Sequence, residues 1–251
     1  MTAFVVVIPA RHGSTRLPGK PLLPLAGRPM ISHVIARAAG SGADAVIVAT
    51  DDDRIGVAAR AASAEVEFTD SAHASGTDRI AEVARRRRWP ADRIVVNLQG
   101  DSPLMPSRNL DQVAGLLDVH PAAAVATLSA PIASNEDYCS QNMVKVVADR
   151  GGRALYFSRS PIPARAHGDA TVKAQRHLGI YAYRVADLLR ISATPPCELE
   201  LCEKLEQLRV LWMGLEIRVA EAAVTPGPDI DTPDDIPMVE RLLQAGAGSV
   251  R

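Results

Sequence analysis

Residues 4–20 read FVVVIPARHGSTRLPGK, and this stretch decides the fold. Residues 4–8 are an apolar run rich in β-branched side chains, the pattern of a strand buried on both faces as in a parallel sheet. Pro9 is expected to stop it. The loop that follows carries Arg11, Arg16 and Lys20, with Gly13 and Gly19 between them. Glycine lets the backbone come close to an anion, and three cations surround the approach, so the loop reads as a polyphosphate clamp. A P-loop is excluded. Five residues rather than four separate Gly13 from Gly19, and Pro21 stands where Ser or Thr should follow the lysine.

The chain has 251 residues, 47% of them hydrophobic, enough to bury a large core as one α/β domain, and its formal net charge is -1. No basic field favours nucleic acid or an anionic membrane, so small molecules and a second copy of the chain are the expected partners. No apolar run reaches the roughly 20 residues of a bilayer span, and the start lacks the features of a signal peptide; a cytoplasmic protein is expected. Cys139, Cys197 and Cys202 are odd in number and lack close metal-binding spacing, which fits reduced thiols.

Outward from the clamp, residues 29–39 have apolar side chains at helical spacing and 45–49 form a second buried strand. Strand, helix and strand make a βαβ unit, which implies a parallel sheet with a right-handed crossover. Asp51, Asp52 and Asp53 follow, and the last two are expected to cap a helix beginning near Arg54. Residues 71–79, SAHASGTDR, place hydroxyls and N–H groups ahead of a helix at 80–87, where they can serve a base or phosphate or simply cap the helix. The basic run 85–88 is expected to be a solvated helix end, because cations complement the helix dipole there.

A strand at 93–98 delivers Gln99, Gly100, Asp101 and Ser102. A carboxylate on a glycine turn at the end of a central strand is well placed to hold a divalent cation beside a triphosphate. A helix at 111–117 and a strand at 123–129 come next. Residues 144–148 and 154–158 flank a glycine turn, the signature of a β-hairpin, so a mixed sheet is expected. Residues 160–171 read as a mobile loop, and 175–183 as a strand carrying His177 and Tyr181. One helix is expected over 199–211, with Leu199, Cys202, Leu205, Leu208 and Leu211 on a stripe facing the core or a subunit interface, and Glu206 and Gln207 off it. After a strand at 217–222, Asp231 lies at the start of the last helix.

These pieces include no GxSxG elbow and no HExxH helix, so no activated nucleophile or zinc site of those kinds. A cationic loop and two turn-held aspartates instead suit nucleotidyl transfer, which needs charge neutralisation and in-line positioning. Arg11, Arg16 and Lys20 would neutralise departing pyrophosphate, and Asp101 and Asp231 would hold Mg2+.

Over nearly the whole chain, PARHGSTRLPGKPL, HASGTDR, VVNLQGDSP, NMVKVV, ALYFSRSPIP, RHLGIYAYR, EKLEQLRVL and DIDTPDD resemble the family of 3-deoxy-manno-octulosonate (Kdo) cytidylyltransferases. The resemblance implies a Rossmann-like α/β fold of the nucleotide-diphospho-sugar transferase type, with a mixed, mainly parallel sheet and a small dimerising subregion. It implies a single nucleotidyltransferase domain, 1–251, in which 1–130 mainly binds CTP and 140–225 mainly binds sugar and dimerises. The implied reaction moves CMP from CTP to the anomeric hydroxyl of Kdo for lipopolysaccharide or capsule synthesis, with Mg2+ as cofactor.

By the same resemblance, Ala10, Arg11, Lys20, Ser75 and Gln99 hold the nucleotide, and Lys20, Arg11, Asp101 and Asp231 are catalytic. Asp101 and Asp231 hold the metal; Arg16, Arg79, Gln99, Arg159, His177, Tyr181, Glu206 and Gln207 surround the acidic sugar. The competing readings are CMP transfer to another acidic acceptor and a non-catalytic nucleotide-binding subunit. Two positions depart from the family pattern. Ser102 replaces the usual glutamate of QGDEP, which bears on the acceptor, and His12 replaces the usual aromatic residue after PAR.

Overall fold

In the computed structural model, which describes residues 2–13, 17–164 and 174–247, β1 (Phe4–Ala10) sends Phe4, Val6, Ile8 and Ala10 into one apolar cluster and Val5 and Val7 into another. Alternate side chains leave opposite faces of a strand, so β1 is buried on both. It does not stop at Pro9. Pairing continues through Pro9 and Ala10 on one side of β1, while on the other it ends at Val7. The Val7 carbonyl accepts from Leu98 N–H on that second side, so Pro9, two residues on, faces beyond the end of the ladder. A missing N–H there forfeits no sheet bond.

After β1 come a short ribbon of β2 (Pro24–Leu25) and β3 (Arg28–Pro29), then α1 (Met30–Ala39), β4 (Ala45–Thr50), α2 (Asp53–Ala61), β5 (Glu65–Phe68), α3 (Gly76–Arg86) and β6 (Ile94–Asn97). The second half comprises α4 (Ser107–Asp118), β7 (Val125–Pro131), α5 (Asn135–Cys139), β8 (Lys145–Ala148), β9 (Ala154–Ser158), β10 (Gln175–Arg184) and α6 (Val185–Ser192). The chain continues through α7 (Glu198–Glu203), α8 (Gln207–Trp212), β11 (Ile217–Glu221) and α9 (Ile236–Ala247).

The described residues build a nine-stranded sheet, ordered β11-β7-β10-β6-β1-β4-β5, with the β8–β9 hairpin attached to β10. β10 is antiparallel to both β6 and β7, and every other strand along that path points one way. The carboxyl ends of β1, β4, β6 and β7 therefore share one edge with the start of β10. Strand order also reverses between β1 and β6, and that crevice is where open α/β sheets receive ligands. Helices α1, α2 and α4 cover one face. Helices α3, α6 and α8, with the hairpin, cover the other.

Most local expectations hold. Asp52 caps α2 by accepting from Arg54 and Ile55 N–H, and in the basic run Arg87 reaches Glu65 at 2.8 Å and Glu67 at 2.5 Å, a helix end tied to β5. The single helix expected over 199–211 is two helices. The chain breaks at Lys204, whose φ of 54° is left-handed, and the break lets Glu203 accept from Ser158 Oγ and Arg159 N–H. Leu205 and Leu208 are buried as the stripe requires, whereas Leu199 and Cys202 are exposed. Arg16 and residues 165–171 of the expected loop lie outside the described residues.

The turn after β6 leaves little room for a side chain at Gly100. A Cβ on Gly100 would lie 3.0 Å from the Pro9 carbonyl oxygen, a backbone atom with nowhere to move. Gly100→Ala is expected to lower stability by about 1–3 kcal/mol, the usual cost of overpacking, and urea denaturation of the two proteins measures it.

Candidate active site

Two cavities open side by side on the edge where the strand ends meet. The smaller, about 260 Å³, is walled by Pro9, Ala10 and Arg11 at the end of β1, by Lys20 and Pro21, by residues 73–76 with Arg79, and by Gln99, Gly100 and Asp101. The larger, about 610 Å³, takes in residues 142–144, 176–179, Tyr181, 205–207 and 226–229, with Asp231 and Thr232. Gln99 borders both.

Lys20 is delivered by a left-handed residue, Gly19 at φ 69°, which leads into a single 3-10 turn, Lys20–Leu22. A turn this short is no P-loop helix. The Lys20 Nζ stands 2.6 Å from Asp101 Oδ2 and 3.6 Å from Asp231 Oδ1, so residues from three distant parts of the chain converge on one ammonium. The backbone explains how. Ile230 donates its N–H to the Asp101 carbonyl at 3.1 Å, and its side chain is fully buried with Leu17, Leu25, Met30 and Val239. Asp235 then accepts from the N–H groups of Asp231 and Thr232, completing a capping box that holds Asp231 at the cavity rim.

Asp229 joins this acidic group. Its side chain is open toward the cavity but enclosed by protein mass behind. That desolvation, with Asp101 and Asp231 close by, pushes its carboxyl up to about 7, against a hydrogen bond from Ser102 and the charge of Lys20. Ser102, where the family pattern has glutamate, is thus a buried hydroxyl that serves Asp229.

Around the larger cavity, β10 loses register between Leu178 and Tyr181. Thr127, fully buried on β7, fills the irregularity: its hydroxyl lies 2.7 Å from the Ile180 carbonyl and 2.9 Å from His177 Nε2. A hydroxyl that donates to Ile180 accepts from Nε2–H, which leaves Nδ1 as the acceptor. Desolvation lowers the His177 pKa to about 3, so the ring is neutral at physiological pH. Phe157 packs edge-on to it at 5.0 Å, and Tyr181 lies 5.3 Å away on the other side. Glu206, its carboxyl raised chiefly by desolvation, accepts from Thr77 at 2.7 Å, while its Oε1 has no partner among the described residues.

The predicted arginines divide differently. Arg79 is buried against Asp51 at 3.0 Å and Thr69, and it lines the smaller cavity rather than the larger. Arg159 turns to backbone carbonyls of Glu203 and Gln141, outside both walls. Ser75 both lines the smaller cavity and caps α3 through Asp78 N–H. Three residues passed over in the sequence enter the picture: His73, held by Glu82 at 2.6 Å in the smaller cavity; Arg176, in the larger; and Lys145. A cation embedded in an apolar strand, as in NMVKVV, was the available signal for Lys145.

A family model described as "Cytidylyltransferase" matches residues 5–217. The 3-deoxy-manno-octulosonate cytidylyltransferase of Cellvibrio japonicus is 53% identical over 253 residues, covering 97% of this chain and 99% of the relative. That of Thioalkalivibrio sulfidiphilus is 51% identical over 249 residues, covering 97% and 100%. The chain belongs to the 3-deoxy-manno-octulosonate cytidylyltransferase family. A solved structure of CMP:2-keto-3-deoxy-manno-octonic acid synthetase complexed with CTP superposes with a TM-score of 0.90 at 42% identity, covering 98% of this chain and all of that one. At 14% identity, 4-diphosphocytidyl-2C-methyl-D-erythritol synthase shares the fold with a TM-score of 0.63. The mixed, mostly parallel sheet is that of the family.

Among the described residues, no three or more His, Cys, Asp or Glu side chains converge as a ready-made metal cage. The donor set nevertheless fits Mg2+, which takes one or two carboxylates and completes its shell with water and phosphate. Asp101 and Asp231 already reach one common cation, the Lys20 ammonium.

In this family member the wall of the larger cavity at 140–144 hangs on a buried lysine. Lys145 is fully buried, and its Nζ donates to the carbonyls of Ser140 at 2.7 Å, Met143 at 2.5 Å and Arg159 at 2.5 Å. Burial lowers its pKa, and no carboxylate pairs with it among the described residues. Lys145→Met strands three carbonyls and is expected to cost about 3 kcal/mol, read calorimetrically as a Tm lower by roughly 6–12 °C.

Proposed function

We propose that the protein transfers CMP from CTP to the anomeric hydroxyl of Kdo and releases pyrophosphate. The observation that carries this reading is the meeting of two cavities at one charge cluster. Asp101 lines the smaller cavity, Asp231 the larger, and Lys20 lies between them. A reaction joining two substrates needs its reacting atoms at such a boundary.

In this reading CTP takes the smaller cavity. Ala10 and Gly100 offer backbone close to the phosphates, Arg11 and Lys20 offer positive charge, and Ser75 and Gln99 offer hydrogen bonds. The acidic sugar takes the larger cavity, where Gln99, Tyr181, Glu206 and Gln207 orient its hydroxyls and neutral His177 accepts through Nδ1. Arg79 and Arg159 act by position, Arg79 behind the nucleotide and Arg159 behind the sugar-side wall. Asp101 and Asp231 would hold Mg2+, which when bound neutralises phosphate charge and polarises the phosphorus. Lys20 and Arg11 stabilise the charge that develops on pyrophosphate as it leaves.

The cavity linings also support a division of labour, residues 1–130 for nucleotide and 140–225 for sugar and dimerisation. Leu155 on β9, Leu199 and Leu201 on α7 and Trp212 on α8 expose 51%, 41%, 54% and 61% of their surface on neighbouring elements, and they support a homodimer face. No described helix is long and apolar enough to cross a membrane. Dependence on CTP supports a cytoplasmic location.

The test is pyrophosphate release from CTP and Mg2+ with Kdo, with 8-amino-Kdo, with sialic acid and without acceptor. Release with Kdo and none without acceptor is expected; silence with Kdo and release with another acid rejects the acceptor. Lys20→Ala is expected to reduce turnover by roughly 10²-fold or more, the loss typical of one preorganised electrostatic group. Near wild-type turnover would remove Lys20 from the chemistry. Asp101→Asn is expected to abolish activity at ordinary Mg2+, and raising Mg2+ in the assay shows whether metal affinity is what was lost.

A further inference from the structure

We propose that Arg176 is the counter-ion for the acceptor's carboxylate. The assignment rests on the CMP-transfer reading above and adds to it the residue that recognises the acid. Charge in the larger cavity poses the problem. Its walls include Glu206, Asp229, Asp231 and Asp235, so an anionic sugar enters a field of its own sign. Such an acceptor needs a cation within reach. Among the described residues of that wall, Arg176 is the one cationic side chain.

Its bonds show that the charge is uncommitted. Arg176 makes a single side-chain hydrogen bond, Nη2 to the Pro226 carbonyl at 3.2 Å, and no ion pair among the described residues. A guanidinium has five N–H donors, so a planar fork remains for a carboxylate. Other described cations nearby are engaged or lie elsewhere: Arg79 is held by Asp51, Arg159 and Lys145 by backbone carbonyls and Lys20 by Asp101 and Asp231, and Arg11 lines the smaller cavity.

The base of Arg176 is also rigid. Its backbone pairs with Ala130 of β7 on one side and Lys145 of β8 on the other, inside a sheet rather than on a loop. The Pro226 carbonyl anchors one end of the guanidinium from the segment that leads to Asp229 and Asp231. One arginine thus ties acid recognition to the strand bearing His177 and to the segment bearing the acidic cluster.

The experiment compares wild type with Arg176→Ala and Arg176→Lys in steady-state pyrophosphate release, varying Kdo and CTP separately. It uses two acceptors, Kdo and its carboxamide, which differ in the carboxylate charge. Arg176→Ala is expected to raise KM for Kdo by roughly 10- to 100-fold, the worth of a hydrogen bond to a charged group, with KM for CTP within about twofold. Arg176→Lys, with charge but no fork, is expected to fall between. The readout a structural role would not move is discrimination: wild type prefers Kdo to its carboxamide, and Arg176→Ala loses that preference.

An unchanged KM for Kdo, or a preference for the carboxylate kept in Arg176→Ala, overturns the assignment while wild-type turnover leaves the CMP-transfer reading standing. Wild type silent with Kdo overturns both. Should Arg176→Ala fail to fold, Arg176→Gln retains a donor for Pro226 and is read by the same two criteria.

Discussion

A single backbone hydrogen bond, from the N–H of Ile230 to the carbonyl of Asp101, holds the two halves of the site together. It acts with the burial of Ile230 and the Pro226 carbonyl's bond to Arg176 of β10 to fix the segment bearing Asp229 and Asp231 against the sheet. Both partners are constrained. Asp101 follows Gly100, which approaches the Pro9 carbonyl as only glycine can, and Ile230 is pinned in a small apolar cluster with Leu17, Leu25, Met30 and Val239. That cluster joins the clamp loop, the first helix and the last helix. Packing of five apolar side chains thereby sets the separation of three charged ones, Lys20, Asp101 and Asp231.

Charge is used in two ways in this protein. Most cations near the cavities are structural: Arg79 at the smaller cavity with Asp51, Arg209 with Glu200 at 2.5 Å, and Lys145 with three carbonyls. Each would be costly to bury alone, and each has partners that satisfy its donors. A smaller set faces the cavities, with Lys20 poised between carboxylates and Arg11 and Arg176 free of ion pairs among the described residues. The separation has a functional meaning. Cations already satisfied by protein hold walls in place, whereas uncommitted ones can exchange water for a ligand's anionic groups.

The larger cavity depends on a defect in β10. A strand in perfect register would direct its carbonyls wholly into the sheet, but the slip between Leu178 and Tyr181 frees two of them for the Thr127 hydroxyl. The same hydroxyl fixes the His177 tautomer, and burial keeps that ring uncharged. His177 therefore contributes a hydrogen-bond acceptor of stable character rather than a titrating group, in a cavity whose charge is already dominated by carboxylates.

The strand–helix–strand start of the sheet, the basic loop after it and the carboxylate after β6 were written in local chemistry. An apolar run too dense to face water on either side, a glycine–cation loop and a carboxylate on a glycine turn are properties of neighbouring residues, and short-range sterics suffice to read them. β1 even outran its expected end, because the cost of Pro9 depends on whether a neighbour needs its N–H, which is a fact about the sheet. The break at Lys204 escaped the leucine periodicity for a similar reason: Glu203 is held by Ser158 and Arg159, residues 45 and 44 positions away. Which arginines are committed to the protein and which are free was likewise invisible. The sequence supplies the charges and says nothing of their partners, because Asp51 for Arg79, the carbonyls for Arg159 and the acidic walls around Arg176 are brought up by packing of distant segments. Local sequence determined what kind of site this is; tertiary structure decided which side chains have charge left for a substrate, since that depends on distances between residues far apart in the chain.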